Sequence, residues 1–230
     1  MSLISKVLAL KASIQGTAAG AQQLNQESQP GGGATPESTA PGPNSESSAL
    51  MNPAALNEPA PAIYRAKFAT TAGDFTVEVT RAWAPLGADR FYNLVKNDFF
   101  TDAAFFRYVP GFIVQWGIPA DPKVAAAWRS AHISDDPFNK SNARGTVTFA
   151  TAGPFTRTTQ LFINLRDNSS LDPQGFTPFG AVIDGMDVVQ RLYSGYGEKP
   201  DQASIQNQGK AYLDKKFPKL DTIKSATILL

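Results

Sequence analysis

Apolar and polar positions alternate along the chain from residue 63 onward. Ala66 and Phe68 are interleaved with Arg65 and Lys67, and Phe75, Val77 and Val79 with Thr76, Glu78 and Thr80. A period of two puts one side of each segment in a core, and Thr71-Ala72-Gly73-Asp74 between them reads as a turn, which predicts a hairpin. Ala84-Pro85 opens a helix, since the fixed φ of proline suits a first turn. Phe91, Leu94 and Val95 supply its buried face, with Asp89, Arg90 and Lys96 outward. Short apolar runs predict further strands over Ala104–Tyr108, Phe112–Trp116, Thr146–Ala150, Gln160–Asn164, Phe179–Val182 and Ile223–Leu229. A second helix begins near Asp184-Gly185, marked by Met186, Val189 and Tyr193. Many short strands, Gly/Pro turns and two clear helices predict an all-β-dominated, closed antiparallel barrel rather than a βαβ sheet.

The first sixty residues differ. Every Phe, Tyr and Trp lies at or after Tyr64, and a segment without aromatics builds a core with difficulty. Residues 26–61 are rich in Pro, Gly, Ser, Ala and Glu, which predicts a disordered linker. Before it, Leu3, Val7, Leu10 and Ile14 form one apolar stripe, so residues 1–25 read as a short amphipathic helix, marginal unless it meets a partner. The globular domain is placed at 62–230.

Composition removes several kinds of chemistry. The 230 residues include no cysteine and one histidine, His132, so disulfides, thiolate nucleophiles and multi-histidine metal sites are excluded, and no cofactor is called for. His132 reads as a surface loop residue. With a net charge of +1 and no basic run, nothing draws the chain to nucleic acid. No stretch of about 18 apolar residues predicts a membrane span. Lys6 and Lys11 break up the N-terminal apolar run, a poor leader that favours the cytoplasm over the periplasm or secretion.

Three stretches could carry chemistry. Phe105–Gly117 is apolar and aromatic, yet holds Arg107 and Gln115; on a continuous strand Phe105, Arg107 and Val109 share a face, with Phe106 and Tyr108 on the other. Taken alone, the arginine reads as one that snorkels over apolar surface. The second stretch, Val147–Pro154 with Thr158–Asn164, has small residues at 150–153 that let another backbone approach, and Gln160 and Phe162 on one face of a strand. The third runs from Ser169-Ser170-Leu171-Asp172 to Phe176-Thr177-Pro178-Phe179-Gly180, and alone reads as a core strand with its loop.

Together these stretches resemble the cyclophilin family, in its bacterial-like form. Phe106-Arg107-Tyr108-Val109-Pro110-Gly111-Phe112-Ile113-Val114-Gln115 is similar to the signature FHRxxPGFxxQ, Phe149–Pro154 to MANAGPNTN, and Gln160–Ile163 to QFFI. Leu171-Asp172 with Phe179-Gly180 is similar to LDGxxxxFG, and Asp184–Val189 to EGMxVV. The motifs are collinear and cover about residues 62–230. The resemblance implies an eight-stranded barrel capped by two helices, a peptide groove on its outer face, and cis–trans isomerisation of X-Pro bonds in unfolded or folded protein clients by a monomeric domain. It implies Arg107 as the catalytic residue. Phe112, Ile113, Gln115, Ala150, Thr151, Ala152, Gln160, Phe162, Leu171 and Phe176 are implied as the substrate-binding set.

The chemistry suits such residues. X-Pro rotation is slow because amide resonance holds the bond planar, with a barrier of about 18–20 kcal/mol. A catalyst has only to stabilise the twisted amide, which a permanently charged fan of arginine donors can do beside an apolar floor. Departures from the family pattern shape the walls: Phe106 and Phe176 stand where histidine is usual and make the groove more apolar, and Thr151 replaces an asparagine. Ser170 falls where many eukaryotic members carry the tryptophan tied to cyclosporin recognition, which implies weakened affinity for cyclosporin-like inhibitors. The stretches Ile118–Arg144 and Glu198–Lys219 diverge most. Two rival readings are a non-catalytic proline-peptide binder or holdase, and a small-ligand barrel of lipocalin type. The arginine–glutamine pair speaks against the first, and the bulky strand residues, which fill the interior, against the second.

Overall fold

A computed structural model describes residues 49–229. The helix expected over residues 1–25 and most of the linker lie outside the described residues. From Leu50 onward the chain lies on the domain: the Leu50 carbonyl accepts the Trp128 indole N–H at 2.8 Å, the Ala60 amide donates to Asp89 at 2.9 Å, and Asn93 donates to the Glu58 carbonyl at 2.8 Å. The part of the linker assigned to residues 50–61 is therefore packed chain, held by hydrogen bonds rather than by aromatic burial.

Eight strands form one antiparallel sheet in the order β3-β4-β6-β5-β7-β2-β1-β8. These are β1 (Ile63–Thr70), β2 (Gly73–Thr80), β3 (Arg107–Val109), β4 (Ile113–Trp116), β5 (Thr146–Phe149), β6 (Leu161–Asn164), β7 (Pro178–Asp184) and β8 (Ile223–Leu229). The β1–β2 hairpin has the register the alternation demands, with Phe68 opposite Phe75 and Ala66 opposite Val77. The two ends of the curled sheet meet without a full ladder. Residues ahead of β3 touch the start of β8 through the bridge Ala104–Thr222 and backbone bonds from Asp102 to Ile223, Ile223 to Ala103 and Phe105 to Asp221. The barrel is thus a curled sheet closed by a short seam, less complete than the closed barrel expected.

Four α-helices occur among the described residues, two more than expected: α1 (Pro85–Lys96), α2 (Pro122–Trp128), α3 (Met186–Arg191) and α4 (Gln202–Lys216). α1 begins at Pro85, and Asp136 accepts the Leu86 and Gly87 amides at 2.9 Å each, satisfying first-turn donors that have no intrahelical partner. The extra helices α2 and α4 lie in the two divergent stretches and pack on each other. The Lys210 amide donates to the Ala120 carbonyl at 2.9 Å across the break in α4 at Gly209, whose φ is +59°. A side chain there would place Cβ 2.1 Å from the Ala120 oxygen, so glycine is what permits this contact. No helix among the described residues is long and apolar enough to cross a membrane.

The interior is aromatic. Phe68, Phe75, Phe91, Phe100, Phe105, Trp116, Phe149 and Phe179 are all buried in one cluster, with Phe68 stacked on Phe75 at 4.9 Å and Phe91 against Phe179 at 5.0 Å. Two smaller clusters lie outside it. One joins Ala104, Phe106 and Ile118 to Ile205 and Leu213 of α4; the other contains most of the candidate site.

Candidate functional site

Strand pairing builds the site across the outer face of β3, β4, β6 and β5. Arg107 stands opposite Gln115, Gln115 opposite Phe162, and Phe162 opposite Thr148. Since paired residues share a face, these four form one row, while Tyr108, Val114, Ile163 and Val147 form the next row, which faces the core. The expected sharing of a face by Phe105 and Arg107 fails. β3 begins only at Arg107, and Phe105 turns inward against Trp116 at 5.7 Å, while Phe106 packs with α4. Phe106 therefore does not make the groove more apolar; its phenyl ring covers the seam between barrel and α4. Phe176 does join the site, edge-to-face on Phe162 at 5.7 Å.

Val109, Phe112, Ile113, Ala150, Phe162, Leu171 and Phe176 form one buried apolar cluster. Six of these were expected from the sequence; Val109 was not. Beside it runs a polar chain. Arg107 Nη1 donates to Gln115 Oε1 at 3.1 Å, and Gln115 Nε2 donates to Gln160 Oε1 at 2.8 Å. Gln160 is aligned by a close approach at Gly117, where a Cβ would fall 2.3 Å from the Thr159 carbonyl oxygen. Thr151 and Ala152 belong to a tight loop: the Ala152 amide donates to Thr156 Oγ1 at 2.9 Å, and the Thr151 and Thr156 hydroxyls lie 2.9 Å apart, both bonded to the Gly153 carbonyl. Every expected site residue thus lies in the cluster, the polar chain or this loop.

Two groups escaped sequence reasoning. Asn142 is fully buried behind the cluster, where its amide donates to Asp172 and to the Phe176 carbonyl at 2.8 Å each and its oxygen accepts from Thr148 at 2.9 Å and Asn164 at 3.1 Å. Asn164 Oδ1 in turn accepts from Asn168, which also donates to the Phe112 carbonyl at 2.9 Å. This network ties the loop bearing Leu171 and Phe176 to the strands. Asparagines in apolar surroundings were its only trace in the sequence. The second group is Glu198. Its Oε1 accepts from Arg107 Nε at 2.9 Å and Nη2 at 2.6 Å. Arg107 is only 3% exposed, and burial pushes its guanidinium below the ordinary value while Glu198 pushes it back up.

Comparisons with known proteins agree with this architecture. Residues 65–210 match the family model for cyclophilin type peptidyl-prolyl cis-trans isomerase/CLD. A peptidyl-prolyl cis-trans isomerase of Acinetobacter baylyi is 36% identical over 130 residues, covering 54% of this chain and 68% of that protein. A crystal structure of a cyclophilin type isomerase from Cryptosporidium parvum aligns with TM-score 0.54 at 20% identity, over 73% of this chain and 98% of that one. The same parasite protein, crystallised in the presence of the dipeptide Ala-Pro, aligns with TM-score 0.52 at 18% identity, over 72% and 99%. A family match spanning well over half the chain, on a fold of this topology, makes this protein a member of the cyclophilin-type peptidyl-prolyl cis-trans isomerases.

Proposed function

We propose that this isomerase takes a proline-containing segment onto the outer face of β3, β4, β6 and β5, with Arg107 as the catalytic group. The observation that carries the reading is a buried arginine bonded to Gln115 at 3.1 Å, on the same row as Phe162 of the apolar cluster. Rotation about an X-Pro bond makes and breaks no covalent bond, so neither a nucleophile nor a metal is needed. The twisted amide loses its conjugation, and its nitrogen gains a lone pair that can accept a hydrogen bond. A guanidinium has five N–H donors and stays charged when buried, so it can serve that nitrogen or the neighbouring carbonyl.

The apolar cluster takes the proline ring, and a dry surface strengthens the guanidinium field. Gln115, Gln160 and the backbone of the 151–156 loop hold the flanking carbonyls, so that one side of the bond stays fixed while the other turns. Clients are X-Pro segments in peptides and proteins. Ser170, exposed beside buried Leu171, leaves a cyclosporin-like macrocycle without an aromatic wall. Exchange NMR on an Ala-Pro peptide tests the reading: Arg107→Ala should fold and lose nearly all catalysed exchange. A folded variant with the wild-type rate would remove Arg107 from the mechanism.

A further inference from the structure

Glu198 lies 91 residues from Arg107, in the segment between α3 and α4. That segment is pinned at several points. The Tyr108 amide of edge strand β3 donates to the Gly197 carbonyl at 3.1 Å, so the segment takes up the unpaired edge of the strand that carries the arginine. Gly197 has φ +57° and closes a turn onto the Ser194 carbonyl at 3.0 Å; the Lys199 amide closes another onto Tyr196 at 3.0 Å. The Tyr196 ring packs between Tyr193 at 4.9 Å and Phe217 at 5.1 Å, and the Tyr193 amide donates to Asp221 at 2.7 Å. Asp201 then caps α4, accepting the Ser204 amide at 2.8 Å. The carboxylate is therefore delivered by a braced backbone.

Its placement on the guanidinium is specific. One carboxylate oxygen takes Nε–H and one Nη2–H, and Gln115 takes one Nη1–H. Of the five N–H donors, one on each terminal nitrogen is left for a substrate. Acceptors on all three nitrogens of a planar group fix both its plane and its direction. A buried cation also needs a counter-charge, and at 2.6 Å Glu198 supplies it from a position that is itself 34% exposed.

We infer that Glu198 is a positioning residue for the isomerase reaction: it holds the Arg107 guanidinium in one orientation, with two donors presented to the peptide. The inference rests on Arg107 being catalytic. It predicts a loss in turnover rather than in substrate affinity, because the orientation of the donors matters most when the amide is twisted.

The experiment measures kcat and KM on an Ala-Pro peptide by exchange NMR for wild type, Glu198→Ala, Glu198→Gln and Arg107→Ala. Each variant is also examined by thermal unfolding and by the 15N-resolved Nε–H signal of Arg107. Glu198→Ala should lower kcat about tenfold, leave KM within about twofold and expose the Nε–H to fast exchange with water. Glu198→Gln keeps an acceptor oxygen and should recover most of the rate and the protected signal even if its melting temperature falls. Four outcomes overturn the inference: an unchanged kcat once the Nε–H is unprotected, a raised kcat, an effect confined to KM, or no recovery by glutamine in a folded variant. An active Arg107→Ala would overturn the reading beneath it instead; an inactive Arg107→Ala beside a fully active Glu198→Ala would remove this inference alone.

Discussion

The two faces of β3, β4, β6 and β5 are built from neighbouring residues of the same strands and follow opposite rules. Tyr108, Val114, Trp116, Val147, Leu161 and Ile163 face inward into an aromatic core, where packing is dominated by ring contacts such as Phe105 on Trp116 at 5.7 Å. One position along, Arg107, Gln115, Thr148, Phe162 and Asn164 face outward into a smaller apolar cluster bordered by hydrogen bonds. The inner face is made for area and shape. On the outer face every buried polar group has a role, since an amide or guanidinium buried without partners costs about 1–3 kcal/mol or more. A strand can thus carry an aromatic core on one side and a candidate site on the other.

Substitutions on the two faces test that separation. The largest effect is expected inside: Phe68→Ala, at the centre of four ring contacts, should cost about 3–5 kcal/mol in urea unfolding while the molecules that remain folded keep their kcat/KM. Arg107→Ala should act mainly on turnover, lowering kcat/KM about 10²–10³-fold and costing only about 1–3 kcal/mol of stability, as buried Gln115 loses a donor and Glu198 its cation. Arg107→Lys should not restore the rate, because an ammonium cannot serve Glu198 and Gln115 with a planar fork. If Arg107→Ala unfolds the chain, the two faces are not separable. Asn142→Ala should cost roughly 1–3 kcal/mol and raise KM severalfold, since the loop bearing Leu171 and Phe176 loses its tie to β5 and β6; steady-state titration and unfolding together read both effects. The smallest change is expected from Ser170→Trp. It should tighten cyclosporin binding about tenfold in calorimetry and leave isomerisation nearly as it was.

The inner face was legible in the sequence because burial on one side of a strand leaves a period of two, seen most plainly from Tyr64 to Val79. The outer face was legible through its order of motifs: Arg107, Phe112, Gln115, Gln160, Phe162 and Leu171 do converge. Where the sequence misled, a strand was shorter than its apolar run. The run Ala104–Tyr108 reads as five alternating residues, but the chain turns at Phe105 and Phe106 to make the seam with β8 and the contact with α4. An apolar run does not record where a ladder begins, because burial under a helix and burial in a core need the same side chains. For the same reason α2 and α4 were not anticipated; their helical contacts are with each other, and α4 is broken at Gly209.

By itself, the sequence determined which residues could line an isomerase groove, the order in which they occur, and the absence of cysteine and histidine-cluster chemistry. Tertiary structure alone decided what accompanies the arginine. Glu198 reaches Arg107 across 91 residues because the segment after α3 lies along the edge of β3, and Asn142 reaches Phe176 across 34 because a loop folds behind the cluster. Local patterns record how a residue meets its neighbours in the chain. A carboxylate placed on a guanidinium by a strand edge, a glycine turn and a packed tyrosine leaves no period to read, and becomes visible only when those elements pack together.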